Sequence, residues 1–228
     1  MFQQNTRLLS GNALKIIAAV AMVLDHAGLM FFPGNKVLRI LGRLAFPIFA
    51  FMIAEGCKYT RNRLRYFLQL FILAAVCQIV YFLVDGSMYL SILFTFSSSL
   101  LMIFSLQHWK EQPSAGRAVL FLLSVGAVWL LNQIFTIDYG FWGCMVPLFA
   151  ALPHGTAFDR IPVSVAALGL GLLILAFSLG GWQMWAMAAL PLLLLYSGKR
   201  GKAKMKYFFY VFYPAHLAIL QLLAWIIF

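Results

Sequence analysis

Three ionisable residues, Lys15, Asp25 and His26, lie inside one apolar stretch near the start of the chain. A second stretch carries Arg39, Arg43 and Glu55, and the last carries His216 within Tyr213-Pro214-Ala215-His216-Leu217. At the centre of a membrane span such groups cost at least about 2.5–3.5 kcal/mol on insertion scales, so they mark substrate paths, proton relays or catalytic sites. A buried neutral imidazole suits a general base near neutral pH. Cations beside it can stabilise a developing oxyanion or hold a phosphate. These residue types fit acyl transfer to an amine or hydroxyl. They fit proton-coupled transport equally well.

Helical spacing sorts them. Lys15 and His26 are eleven positions apart, three turns, so they share one face and differ in height by about 16 Å. Asp25 is adjacent to His26 and therefore points elsewhere, needing a partner on another helix. The second stretch runs the other way, which sets Arg43 at the depth of Asp25 and His26, and Glu55 near Lys15. Two cross-helix pairs are expected, Asp25 with Arg43 and Glu55 with Lys15. Each is equally readable as an ion pair that fixes helix register without chemistry. His216 follows Pro214, which removes a helical hydrogen bond and leaves a polar lining beside the imidazole.

The elements that carry these residues are transmembrane helices. Of 228 residues, 64% are hydrophobic and 10% charged, against about 45–50% and about 25% in soluble domains. No soluble core could bury that excess. The fold class is all-α, a polytopic membrane helix bundle forming one integral membrane domain over 1–228. Spans are expected at 13–33, 37–57, 66–84, 88–107, 117–135, 138–153, 161–179, 182–197 and 206–228. The segments 138–153 and 182–197 are short, giving eight to ten spans, with nine preferred. The stretch 13–33 has no A-x-A cleavage site and reads as a retained span, not a signal peptide. Strand periodicity and internal repeats are absent.

Basic residues orient the bundle. Arg7, Lys58, Arg61, Arg63, Arg65, Lys110, Arg117, Arg160, Lys199, Arg200, Lys202, Lys204 and Lys206 all fall on one side if the N-terminus is cytoplasmic. Asp85 and Asp138 fall on the other, with Lys36 as the basic exception. The positive-inside rule gives an N-in, C-out, multi-pass protein of the cell's inner, cytoplasmic membrane. Topology accounts for the net charge of +11, so no nucleic-acid partner is implied. The Lys199–Lys206 run reads as an anionic-lipid anchor or as a contact for a phosphorylated cofactor.

Other signals are bland. Cys57, Cys77 and Cys144 have neither paired nor metal-ligand spacing, and no metal is expected. No phosphate loop, zinc motif or nucleophile elbow occurs. Thr95, Ser97, Ser98 and Ser99, like Asn132 and Gln133, read as interhelical hydrogen-bonding groups. His108 and His154 sit at loop edges and read as surface residues.

The runs Ser10-Gly11-Asn12-Ala13-Leu14-Lys15, Leu24-Asp25-His26-Ala27-Gly28, Gly42-Arg43-Leu44-Ala45-Phe46-Pro47-Ile48-Phe49-Ala50-Phe51 and Ala54-Glu55-Gly56 together form a pattern. Tyr59-Thr60-Arg61-Asn62-Arg63, Asp138-Tyr139-Gly140 and Tyr213-Pro214-Ala215-His216-Leu217 extend it. In this order they resemble the TraX family from about residue 9 to the end. That resemblance implies a membrane acetyltransferase, the family being named for an enzyme that acetylates the N-terminus of a conjugative pilin. TraX proteins are in turn similar to the acyltransferase-three family and to heparan glucosaminide N-acetyltransferase. In the acyltransferase-three group a basic residue, ten intervening residues and a histidine mark the first span. Lys15 and His26 fit that spacing, with Lys where Arg is common, a point charge in place of a bidentate fork.

The resemblance implies acetyl-CoA as acyl donor, entering from the cytoplasmic side. His26, Asp25, Arg43 and His216 are then the catalytic group, with His26 as base and Arg43, Lys15 or His216 facing the oxyanion. Lys15, Glu55, Arg61, Arg63 and Arg65 lie around the cofactor, whose phosphates meet the last three or the Lys199–Lys206 run. The acetyl group reaches His26 through the lipid-embedded bundle, and the acceptor, a protein N-terminus, a glycan or a small amine, approaches from outside. Two competitors remain: a transporter with Asp25, His26 and Glu55 as a proton relay, and a non-catalytic assembly protein.

Overall fold

A computed structural model describes residues 8–203 and 205–227, without the side chains of residues 84, 85, 206 and 207. Arg7, Lys204 and the side chains of Asp85 and Lys206, used in the charge pattern, lie outside that description. The described chain is helical throughout, with two isolated bridges and no strand among the described residues. Among the described residues, seven helical segments are long and apolar enough to cross a membrane: Gly11–Met30, Lys36–Tyr59, Arg63–Leu83, Ile92–Glu111, Ala115–Ile134, Ile161–Leu179 and Phe208–Ile227. Two shorter apolar segments, Gly140–Ala151 and Gly181–Leu194, fall where short spans are expected. The all-helical, multi-span membrane fold is therefore borne out.

The helices are α1 (Gly11–Met30), α2 (Lys36–Gly42), α3 (Ala45–Tyr59), α4 (Arg63–Asp85), α5 (Ile92–Glu111), α6 (Ala115–Ile134), α7 (Gly140–Ala151) and α8 (Ile161–Leu179). A 3₁₀ helix (Gly181–Ala189), α9 (Leu190–Leu194) and α10 (Lys206–Ile227) follow. The second expected span is two helices, not one. Asn35 caps α2 by accepting from the N–H groups of Val37 and Leu38 (3.0 and 3.4 Å). The helix then breaks at Arg43–Leu44, because Pro47 has no N–H to give to the carbonyl four residues back.

The chain divides into two compact units, one made of Met1–Phe49 with Gly180–Phe228, the other of Ala50–Leu179. In the first, α1 packs between α2 and α10, and the 3₁₀ helix touches α2. The start of α1 is stapled to the segment before α10. Leu9 bridges Tyr196, Gly11 N–H donates to Lys199 O (2.8 Å), and Asn12 N–H donates to Arg200 O (2.9 Å). Gly201 has φ +98, and a Cβ there would lie 3.0 Å from Ser10 Oγ, so glycine serves both the turn and the close approach.

In the second unit, α5 packs against α4, α6 and α7, and α7 against α8. Thr95 Oγ1 donates to Asp138 O (2.6 Å), and Ser99 Oγ donates to Cys144 O (2.7 Å). Lys110 Nζ donates to His154 O (3.1 Å). Partner positions rise together, so α7 runs parallel to α5. With its flanking turns, this 12-residue helix matches most of the length of α5. The short sixth segment therefore crosses the unit from end to end. The hydroxyl ladder expected along 95–99 supplies these interhelical bonds, and Ser105 with Ser124 (2.7 Å) adds one between α5 and α6. The three cysteines are buried free thiols.

Candidate active site

Lys15 and His26 emerge along the side of α1 that α10 covers. The Lys15 ammonium sits 5.9 Å from the Phe209 ring centroid. Three turns on, the His26 and His216 rings meet edge to face, 5.2 Å between centroids. Both contacts lie in the first unit, and the shared face expected from the eleven-residue spacing is what α10 meets. His216 is buried, stacked on Phe212 at 5.1 Å and flanked by Tyr213.

The ring nitrogens are assigned by their partners. His26 Nδ1 lies 2.8 Å from Met22 O, and His216 Nδ1 lies 3.0 Å from Phe212 O. A carbonyl oxygen only accepts, so each Nδ1 carries the proton and donates it one turn back. Each neutral ring then presents a lone pair at Nε2, which for His216 is a buried atom without a hydrogen-bond partner among the described residues. A neutral His216 is thus an acceptor at Nε2. The oxyanion-facing role expected for it would require the ring to carry a second proton at Nε2.

Asp25 points away from His26 onto α2, as adjacency demands. Its Oδ2 accepts from Arg43 Nη2 (2.5 Å) and its Oδ1 from Arg39 Nη1 (2.8 Å). The pair with Arg43 was legible from depth. The second arginine was missed, although Arg39 and Arg43 are four apart and so share a face. Gly42 makes room for the carboxylate, since a Cβ there would lie 2.3 Å from Asp25 Cβ and 2.5 Å from Oδ1. One turn along α1, Gly28 lets Leu38 approach to 2.9 Å from where its Cβ would be. The Asp25 carboxylate is thus shared between two guanidinium groups.

Glu55 belongs to the second unit, whereas Lys15, its expected partner, belongs to the first. Within its own unit the Glu55 carboxylate faces His154 Nε2 at 3.6 Å, and both residues are buried, 5% and 4% exposed. His154 is therefore not the surface residue its loop-edge position suggested. The turn after α7 folds it inward. Lys58 Nζ holds Asp159 Oδ1 (2.6 Å), Asp159 Oδ2 accepts from Gly155 N–H (3.2 Å), and Lys110 also binds Leu152 O. Burial lowers the His154 imidazole to about 4, against a smaller opposing pull from Asp159. Burial pushes the Asp159 carboxyl up, but the Lys58 and Gly155 hydrogen bonds outweigh it and hold it below the usual carboxylate range. Asp159 adjoins Arg160, which was expected on the membrane side of Lys58, and that adjacency was an unused sequence signal for the Lys58–Asp159 pair.

The remaining expected cofactor residues lie at the start of α4. Arg63 forms a two-pronged ion pair with Glu111, while Arg61 and Arg65 are exposed. No group of three metal-ligating side chains occurs among the described residues.

The family profile described as "TraX protein" matches residues 10–224. The chain belongs to the TraX family. A relative in Dichelobacter nodosus, named "Probable fimbrial assembly protein FimC, serogroup H1", is 31% identical over 246 aligned positions, covering 91% of this chain and 92% of its own. "Uncharacterized protein RP591" of Rickettsia prowazekii (strain Madrid E) is 47% identical over 38 residues, covering 17% of this chain and 15% of its own. No solved structure matches. Within this TraX chain the matched region holds every residue of the His26–His216 and Asp25–Arg39–Arg43 clusters.

Proposed function

We propose that the chain is an acetyltransferase of the cytoplasmic membrane that moves an acetyl group from acetyl-CoA to an amine or hydroxyl of an envelope component. The observation that carries this reading is the His26–His216 pair, with the proton committed to Nδ1 in both rings and Lys15 three turns away on the same face. TraX membership and the fimbrial-assembly name of the Dichelobacter relative favour a pilin or another surface protein as acceptor.

In this mechanism the Nε2 lone pair of His26 takes the proton of the acceptor N–H or O–H as the heteroatom attacks the thioester carbonyl. The carbonyl oxygen becomes an oxyanion, and Arg43, held on the Asp25 carboxylate that precedes His26 in the chain, is the cation assigned to stabilise it. Collapse breaks the carbon–sulfur bond, and the thiolate of CoA leaves with the proton that His26 returns. His216 packs edge to face against His26 and holds that ring in place by contact, its Nε2 being able to accept only once His26 Nε2 has taken up a proton. Lys15 meets the cofactor's phosphates as a point charge. Asp25 acts through the two arginines and is a positioning residue.

One observation favours a second reading. The buried Glu55–His154 pair has no step in the transfer reaction, and a proton-coupled carrier would use such a buried carboxylate and imidazole. Kinetics separate the two. In purified protein, CoA release from acetyl-CoA is expected to vanish in His26→Ala, while Lys15→Ala raises the KM for acetyl-CoA with a smaller effect on kcat. Folded protein that neither binds nor cleaves acetyl-CoA, yet moves protons across liposomes, would overturn the transferase reading.

A further inference from the structure

Between Lys15 and His26 the α1–α10 seam carries a continuous ladder of rings. The Lys15 ammonium lies 5.9 Å from the Phe209 centroid, and Phe209 meets Phe208 at 5.1 Å. Phe208 stacks on Phe212 at 5.5 Å, Phe212 on His216 at 5.1 Å, and His216 meets His26 at 5.2 Å. Successive members Phe208, Phe212 and His216 are one turn apart, so they stand one above another on α10. On α1, Lys15, Ala19, Met22 and His26 follow the helical repeat and share a face. The ladder is accessible along its length. Phe208 is 49% exposed, and Lys15, His26, Phe209 and Phe212 are each partly exposed. Inside a membrane span, an accessible ammonium and imidazole border a polar cavity or a ligand and not lipid.

The two ends of this stripe have partners in the proposed reaction, a phosphate at Lys15 and the thioester at His26, about 16 Å apart along α1. In CoA the pantetheine arm joins phosphate to sulfur through about a dozen bonds, which at the reach of an extended chain is about 14 Å. The arm is apolar along its dimethyl and methylene groups and is interrupted by amides. Ring faces pack against such methyl groups and accept weakly from amide N–H groups. We infer that the pantetheine arm of the acyl donor lies along Phe208, Phe209 and Phe212, with its phosphate end at Lys15 and its thioester at His26. This rests on the acetyltransferase reading and names the part of the donor that the seam recognises. A ladder that only packs helices gives no reason for its rings to stay accessible between a cation and a base.

The test uses purified full-length protein, a peptide acceptor and the acetyl thioesters of CoA, phosphopantetheine, pantetheine and N-acetylcysteamine, the last keeping only the sulfur end of the arm. Thiol release gives kcat/KM for each. The wild type is expected to prefer the pantetheine over the N-acetylcysteamine thioester by about tenfold or more, carried by KM. Phe209→Leu, at the middle of the ladder, and Phe208→Ala, at an exposed position where folding is not at risk, are each expected to lower that preference about fivefold, as for the loss of an aromatic contact. Lys15→Gln is expected to abolish the preference for phosphopantetheine over pantetheine. Phe177→Leu, at an exposed position of α8, is the control and is expected to keep both preferences. A wild-type arm preference below about twofold, or one unchanged in both ladder variants, overturns the arm site. If folded protein cleaves none of the thioesters, the transferase reading falls. Saturable CoA binding that weakens in Phe208→Ala and Lys15→Gln then still supports the site, and binding that is absent or equal to wild type in both overturns it too.

Discussion

Gly42→Ala is the smallest change that reaches the proposed site, because it adds one methyl where α2 crosses Asp25. The new carbon would lie 2.3 Å from Asp25 Cβ, 2.5 Å from Oδ1 and 2.6 Å from Cγ. Ordinary carbon contacts are about 3.5–4.0 Å. Either α1 and α2 separate by more than an ångström, or Asp25 swings out of its bonds to Arg39 and Arg43. Overpacking costs about 1–3 kcal/mol, and loosening a partly buried ion pair adds to it. A total of about 3 kcal/mol corresponds to a Tm lowered by roughly 5–10 °C for a chain of this size. Gly126→Ala is the control, since a Cβ there meets nothing within 4 Å. In the middle of α6 it gains about 0.5–1 kcal/mol of helix propensity. Thermal unfolding in detergent, followed by intrinsic fluorescence and paired with CoA release, reads both. If Gly42→Ala and Gly126→Ala melt together with equal activity, the close approach of α1 to α2 is wrong, and with it the placement of Asp25 between the two arginines.

Three further outcomes are expected. Asp25→Asn removes the countercharge of two arginines and is expected to cost about 2 kcal/mol in denaturant or thermal unfolding, part of the buried-pair penalty being relieved by partial exposure; a stability equal to wild type would contradict the ion triad. His154 is neutral in the folded protein down to about pH 4 and titrates near 6.5 when unfolded. The unfolded state then binds the extra proton between those values, so stability is full above about pH 6.5 and falls as pH drops toward 4, by up to about 3 kcal/mol. His154→Phe is expected to flatten that window, and an unchanged pH slope refutes its burial. Asp159→Asn releases Lys58 from the turn after α7 and is expected to increase hydrogen exchange across 152–160 while leaving the first unit unchanged.

The bundle was legible because hydropathy over about twenty residues is set by the bilayer and not by neighbours. The two short segments were legible as short for the same reason, and the hydroxyls at 95–99 announced the bonds that let α7 follow α5. The Asp25–Arg43 pair was readable because adjacency forced Asp25 off the His26 face and antiparallel depth left few partners. What lay beyond reach depended on tertiary closure. The break at Arg43–Leu44 follows from Pro47, yet proline near a helix start is often tolerated, so the chain alone did not decide it. His154 looked like a surface residue because its burial is produced by Lys58, Lys110 and Asp159 from three separate segments. The tautomers of His26 and His216 depend on carbonyls one turn back, which spacing predicts only once the rotamers are known.

The central claim is that the first unit carries an acetyl-transfer site built on His26. The direct measurement supplies acetyl-CoA labelled in the acetyl group to the protein in sealed proteoliposomes, together with a peptide acceptor, and follows the label into the acceptor by mass spectrometry. Acetylated acceptor with equimolar free CoA from wild type, and neither product from His26→Ala of equal Tm, is the predicted result. Label transfer that persists in His26→Ala would contradict the account.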